Sequence, residues 1–209
     1  MHMATEKKKF KAVIFDWGGV CCSGAEPFAS SLLQQKLGMS LEEVTDSALT
    51  VYLDYCKGKY TKESFWKAVL SHFNLTEDDV LNPDTLSAAY IGSYVLYTDV
   101  LALVEELKSS YQLGLLSNLT PEMRDHIRVT HHTPEYFATE VYSCDPGVGV
   151  LKPDQEAFGT IMKKMGRKPE ECIFIDDSQN NILAAEALGM HTIHFKNKSD
   201  ALAEINALL

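Results

Sequence analysis

Apolar residues gather in five short runs rich in β-branched and aromatic side chains, at 11–15, 112–116, 140–143, 172–175 and 192–195. Runs this short and this apolar read as buried strands rather than helices. Between most of them apolar positions return every three or four residues, as in Val100, Leu101, Val104 and Leu107, or Ile182, Leu183, Ala187 and Leu188. That spacing predicts helices, and Gly189 follows the second set as a C-cap. Nearly continuous apolar strands separated by helices predict an α/β fold with a parallel sheet covered on both faces, because parallel neighbours need crossover connections.

One interval breaks the alternation. From Ser23 to about Thr98 no strand pattern occurs, only helical periodicity interrupted at Lys57-Gly58-Lys59 and Asn82-Pro83. Leu32, Leu33, Leu37, Val44, Leu49, Tyr52, Leu53, Phe65, Trp66, Val69, Leu70 and Phe73 are expected to form the core of an inserted helical unit.

Charge narrows the range of partners. The 209 residues carry 19 Lys and Arg against 29 Asp and Glu, a formal charge of −10. Nucleic acid and anionic membrane both demand clustered cations, so a small-molecule partner is expected. Five cysteines, two of them adjacent at Cys21 and Cys22, do not suit a framework of bridges and are read as thiols of a cytoplasmic protein. The first nine residues are polar and lysine-rich, and the apolar run after them is too short for a signal or membrane span.

In an open parallel sheet the ligand crevice lies at the carboxyl ends of the strands. The first predicted strand ends in Asp16-Trp17-Gly18-Gly19, the second in Ser117-Asn118 and the fourth in Asp176-Asp177, while Lys152-Pro153 follows the third. Each residue alone is an ordinary cap, turn or surface side chain. Together they are a chemical site. Carboxylates about 4 Å apart repel by roughly 4 kcal/mol at an effective dielectric near 20, so the aspartates call for a bound cation or raised pKa values. Mg²⁺, with its preference for oxygen ligands and a substrate phosphate, is the expected cofactor. Lys152 and the main-chain N–H groups near Trp17 and Asn118 suit a phosphoryl group.

The strings VIFDWGGV, LLSN, GVLKPDQEAF and IFIDDSQNN, in this order, resemble the four motifs of the haloacid dehalogenase superfamily with the C1-type insertion after the first motif. The resemblance implies a Rossmann-like hydrolase core over 10–22 and 99–209 and a helical cap over 23–98. It implies that Asp16 is a nucleophile forming an aspartyl-phosphate. Ser117 and the Asn118 backbone would bind phosphate, and Lys152 would pair with both nucleophile and phosphate. Asp177, Asp16, the Gly18 carbonyl and the neighbouring Asp176 would serve the metal. One position departs from the pattern. Phosphatases of the family usually carry an acidic general acid–base two residues after the nucleophile, where this chain has Gly18, as in a subset that includes sugar-1-phosphatases. An Asp there requires that the turn tolerate a Cβ, on which a positive φ at Gly18 would impose a steric cost. The leading expectation is a phosphatase of a small phosphorylated metabolite. The alternatives are an impaired phospho-ligand-binding protein, motivated by Gly18, and a 2-haloacid dehalogenase, disfavoured because such enzymes carry neutral residues where this chain has Asp176 and Asp177. Trp17 is expected to pack beneath the cap, and Cys21 and Cys22 to be buried thiols. His131-His132 are not expected to bind metal, because adjacent imidazoles diverge.

Overall fold

The structure is a computed structural model, and it describes residues 10–78 and 81–208. The polar segment 1–9 lies outside them. Strands β1 (Ala12–Phe15), β2 (Gln112–Ser117), β3 (Thr139–Tyr142), β4 (Cys172–Asp176) and β5 (His191–His194) form one parallel sheet in the order β3-β2-β1-β4-β5. All five predicted strands are present, displaced at their ends by a single residue at most. Alternate residues of each strand serve opposite faces. Val13, Phe15, Leu113, Leu115, Ile173 and Ile175 share one core cluster, and Ile14, Leu116, Val141 and Phe174 the other. Each fully buried side chain of this size contributes about 1.5–3 kcal/mol, so covering both faces is what holds the sheet.

The first face is covered by helices α5 (Thr98–Leu107), α6 (Pro121–Thr130) and α10 (Lys198–Leu208), with short α7 (Thr133–Tyr136) leading into β3. Helices α8 (Gln155–Met165) and α9 (Gln179–Ala187) cover the second. The expected glycine at the end of α9 is there, with Gly189 at φ 89°. From β1 the chain builds outward through β2 to β3, then crosses by α8 to place β4 on the other side of β1. Connections therefore diverge at the carboxyl end of β1, and a crevice opens there.

The stretch between β1 and α5 is helical, comprising α1 (Ser31–Leu37), α2 (Leu41–Cys56), α3 (Lys62–His72) and α4 (Pro83–Ile91). Ser40 and Glu43 close a capping box at the start of α2, and Asn82 caps α4 with Pro83 in the first turn. The Asn82-Pro83 break is thus a helix start. On α2 the buried positions are Val44, Ala48, Tyr55 and Cys56. Leu49 and Leu53, expected inside, are 42% and 36% exposed, and Leu32 of α1 is 42% exposed. On α2 Leu49 falls about 100–140° and Leu53 about 140–180° round the helix from positions 44 and 48, so the periodicity admitted them while the neighbours did not. Polar contacts seat the insertion on the sheet edge: Ser143 donates to the Cys56 carbonyl at 2.6 Å, Tyr90 and Thr120 hydroxyls meet at 3.3 Å, and Ser87 donates to the Glu122 carboxylate.

Candidate active site

Register sets the site before any side chain is considered. Phe15 is level with Leu115 on one side and Ile175 on the other. Asp16 follows directly as β1 ends, its N–H still bonding the Ile175 carbonyl at 2.9 Å, while β2 runs on to Ser117 beside Tyr142 and β4 to Asp176 beside His194. After Asp16 the chain turns sharply, with the Trp17 carbonyl accepting from Cys21 N–H at 2.8 Å and Gly19 at φ 77°. That turn keeps Asp16 at the sheet edge and sends the chain up to the helical insertion.

Asp16 is buried, and its Oδ1 accepts from the Trp17 N–H at 2.7 Å and meets Lys152 Nζ at 2.9 Å. Neither partner uses Oδ2. Lys152 is buried as well and bridges to Asp176 Oδ2 at 2.6 Å. Its main chain is clasped by the Asn118 side chain, which donates to the Lys152 carbonyl at 3.0 Å and accepts from its N–H at 2.9 Å. Asp176 has no exposure at all, and its Oδ1 accepts from Ser178 N–H at 2.8 Å and Asn181 Nδ2 at 2.9 Å. Burial pushes the Asp16 carboxyl up to about 7, with Asp176 adding to the rise while Lys152 and a Ser117 hydrogen bond oppose it. Burial would lower the Lys152 ammonium, but Asp16 and Asp176 outweigh it and the net shift is upward.

Carboxylate oxygens of Asp16, Asp176 and Asp177 lie within 4.8 Å of one another. Burial, then Asp176, raise the Asp177 carboxyl too. Three acidic oxygen donors, two of them held above their ordinary pKa, match a small hard cation such as Mg²⁺. Asp176 already accepts three hydrogen bonds or ion pairs, which leaves Asp16 and Asp177 the less encumbered donors. Gly19 makes the cluster possible: a Cβ on it would fall 2.1 Å from Asp177 Oδ2.

A cavity of about 190 Å³ opens on this edge, lined by Asp16, Gly18, Ser117, Asn118 and Lys152 from the sheet side. Tyr52 of α2 and Tyr90 of α4 line it from the insertion. Sequence reasoning placed Tyr52 in the insertion's own core and did not single out Tyr90. The only signal was a phenol hydroxyl on an otherwise apolar stripe. Asn181, in the run IDDSQNN, was also passed over as a positioning group for Asp176. A larger cleft of about 460 Å³ between α9, β5 and α10 is open and gathers none of these residues.

Other expectations resolve as follows. The Trp17 N–H is turned to Asp16, and its buried indole stacks on His131 at the end of α6 at 5.8 Å, a ring that in turn packs on Tyr94 of the insertion. His131 also bonds the Tyr94 hydroxyl, whereas the exposed His132 lies near Glu135, so the two imidazoles do diverge. Cys21 and Cys22 are buried, and all five cysteines are free thiols. Gly18 has ordinary φ, and a Cβ there would meet only Gly24 Cα at 3.7 Å. No described helix is long and apolar enough to cross a membrane.

Known proteins are similar to this chain in sequence and fold. A sesquiterpene phosphatase, astK, of Aspergillus oryzae is 23% identical over 96% of this chain and 97% of its own length. A drimenol cyclase, drtB, of Aspergillus calidoustus is 20% identical over 93% of this chain, which spans 36% of that protein. An enzyme of the haloacid dehalogenase family from Bacteroides thetaiotaomicron, in complex with magnesium and inorganic phosphate, superposes with a TM-score of 0.74 at 24% identity, over 88% of this chain and 93% of that one. The sequence pattern of the haloacid dehalogenase-like hydrolases matches residues 10–189, spanning every strand end that builds the site, and this chain belongs to that family.

Proposed function

We propose that the protein is a Mg²⁺-dependent phosphatase of a small phosphorylated metabolite, working through an aspartyl-phosphate on Asp16. One observation carries the reading: a buried carboxylate held on Oδ1 by Trp17 N–H and Lys152, with Oδ2 left for attack, in a cavity lined by phosphate-binding groups. Asp16 attacks phosphorus, and the bond to the leaving oxygen breaks. Ser117, the Asn118 main chain and Lys152 bind the phosphoryl oxygens. Lys152 supplies fixed positive charge as charge shifts onto them, which is where preorganised electrostatics stabilises most. The Trp17 main-chain N–H, bonded to Asp16 Oδ1 at 2.7 Å, orients the nucleophile and joins these groups at the phosphoryl oxygens. Asp16, Asp177 and the Gly18 carbonyl would hold the metal, with Asp176 positioning Lys152. When bound, Mg²⁺ supplies charge neutralisation between the phosphoryl group and the carboxylates. Water then hydrolyses the acyl-phosphate.

In this reading 10–22 and 99–209 are the hydrolase core and 23–98 the cap that selects the substrate, in a protein of the cytosol. Gly18 offers no proton, so turnover favours leaving groups that depart easily, such as anomeric sugar phosphates. The same glycine supports a second reading, a protein that binds phosphorylated ligands with little turnover. The aspartates at 176 and 177 weigh against a dehalogenase. Hydrolysis of an aryl phosphate with Mg²⁺ and with chelator decides the matter. Release that needs Mg²⁺ and disappears in Asp16→Asn is expected, and full activity in chelator overturns the proposal.

A further inference from the structure

The cavity wall contributed by the insertion carries no formal charge. Tyr52, Tyr90, Gly24 and Ala25 supply it, and the lining residues include a single cation, Lys152. That cation is already committed, at 2.9 Å to Asp16 and 2.6 Å to Asp176. Lys62 of α3 is taken by Asp84 at 2.6 Å and lies outside the lining. On the sheet side Asp16 alone of the acidic cluster lines the cavity, and behind it the cluster's three carboxylates outnumber the lysine. A divalent cation among them would bring this cluster and Lys152 together only to neutrality, before a dianionic phosphoryl group has entered. A second anionic group on the substrate would therefore be buried without a partner, which is strongly unfavourable.

The insertion offers hydroxyls instead. Tyr90 is 1% exposed and meets the Thr120 hydroxyl at 3.3 Å. Tyr52 lies close enough to Tyr90 and Cys56 for both to act on its phenol, so side chains from α2, α4 and the β2–α6 connection gather weak donors and acceptors on this wall. Burial drives both phenols upward, and each stays a neutral O–H at any working pH. Neutral hydroxyls in series can exchange hydrogen bonds with a substrate alcohol but cannot balance a carboxylate. The volume, about 190 Å³, is below the 300–1,000 Å³ of drug-sized pockets.

We propose that this site takes phosphate monoesters of small, uncharged, hydroxylated alcohols, with Tyr52 and Tyr90 as the residues that recognise the leaving group, and rejects esters bearing a carboxylate or a second phosphate. The inference rests on the phosphatase reading and narrows its substrate class.

A matched pair tests it without any variant. Glycerol 3-phosphate and 3-phosphoglycerate share the ester, the chain length and the central hydroxyl, and differ in a terminal CH₂OH against a carboxylate. Their poor leaving groups are alike, so the ratio of kcat/KM isolates the charge. The expected ratio is 10²–10³ in favour of glycerol 3-phosphate, the scale of leaving a buried charge unpaired. A ratio under tenfold, in an enzyme that hydrolyses aryl phosphate, overturns the inference and leaves the phosphatase reading standing. Absence of hydrolysis of aryl phosphate overturns both. The tyrosines are tested by Tyr52→Phe and Tyr90→Phe, read as the ratio of kcat/KM on glycerol 3-phosphate to that on methyl phosphate. Each loses a hydrogen bond to the alcohol and should lower that ratio by about 2- to 10-fold. A loss equal on both substrates marks a structural role only and removes the tyrosines from the proposal.

Discussion

Replacing Gly19 by alanine strikes the acidic cluster through a residue that has no side chain of its own. Gly19 sits at φ 77°, and an added Cβ would lie 2.1 Å from Asp177 Oδ2, 2.3 Å from Cγ and 2.9 Å from Oδ1. Ordinary contact needs at least about 3.5 Å, so the carboxylate has to move by more than 1 Å. Asp177 is exposed on one side and its χ angles are free to swing outward, so the backbone need not yield. Stability should then fall by the left-handed cost of a Cβ, about 1–2 kcal/mol, or roughly 2–8 °C in Tm for a chain of this size. Cation binding should suffer more. A ligand that binds only the folded state stabilises by RT ln(1 + [L]/Kd), and displacing one of three carboxylates should raise Kd by at least the 10- to 100-fold seen when metal-site supports are lost. Thermal melts over a Mg²⁺ titration read both effects at once. In wild type Mg²⁺ raises Tm, whereas in Gly19→Ala the starting Tm is lower and the rise is shifted to far higher Mg²⁺. Asp177→Asn is the control, since it should abolish the rise while the cation-free protein, relieved of a like charge, is no less stable. In an Asp177→Ala background Gly19→Ala should cost only the φ contribution. A Gly19→Ala protein with the wild-type Mg²⁺ midpoint would refute both the cluster as cation site and the reason given for the glycine.

Asp16→Asn keeps the volume and removes the charged attacking oxygen, so turnover should fall to a few per cent of wild type or less while circular dichroism and cooperative melting persist. Gly18→Asp is sterically allowed, since a Cβ meets only Gly24 Cα at 3.7 Å. It should flatten the dependence of rate on aryl leaving-group pKa and help the poorest leaving groups most, by up to 10²–10⁴; an unchanged slope would place proton transfer elsewhere. Glu122, half-buried in the first turn of α6 and bonded by Ser87 and Tyr55, is pushed up to about 7, mainly by burial. Its folded pKa exceeds its unfolded one, so its contribution is most favourable below about pH 4.5 and is lost as pH rises to about 7. Glu122→Gln should accordingly stabilise at pH 8 by about 1 kcal/mol, discounted for solvent screening, and change little at pH 5, as melts at the two pH values would show.

The five strands were legible in the sequence because a strand buried on both faces is rich in apolar residues, while the equally apolar run at 100–104 was told apart by its continuation at helical spacing to Leu107. The strand-end aspartates, Ser117 and Lys152 were legible for the same reason in reverse, as polar groups placed where an apolar run stops. Register then did what no pattern could show. It brought Asp16 and Asp176 level, so that Lys152 reaches both at 2.9 and 2.6 Å. Which face of each helix is covered was also a tertiary matter. Leu49 and Leu53 satisfied the helical spacing and yet face solvent, while Tyr52 between them lines the cavity. The two adjacent glycines divide the lesson. Sequence alone marked Gly18 as the position lacking an acid, and it located the possible positive φ there. The folded turn put the positive φ on Gly19 instead, where Asp177 from a distant strand fills the space a Cβ would take. Local sequence carries hydrophobic period and chemical type, because those follow from single residues and near neighbours. A close approach between residues more than 150 positions apart depends on how crossovers stack the strands, and only the assembled sheet fixes it.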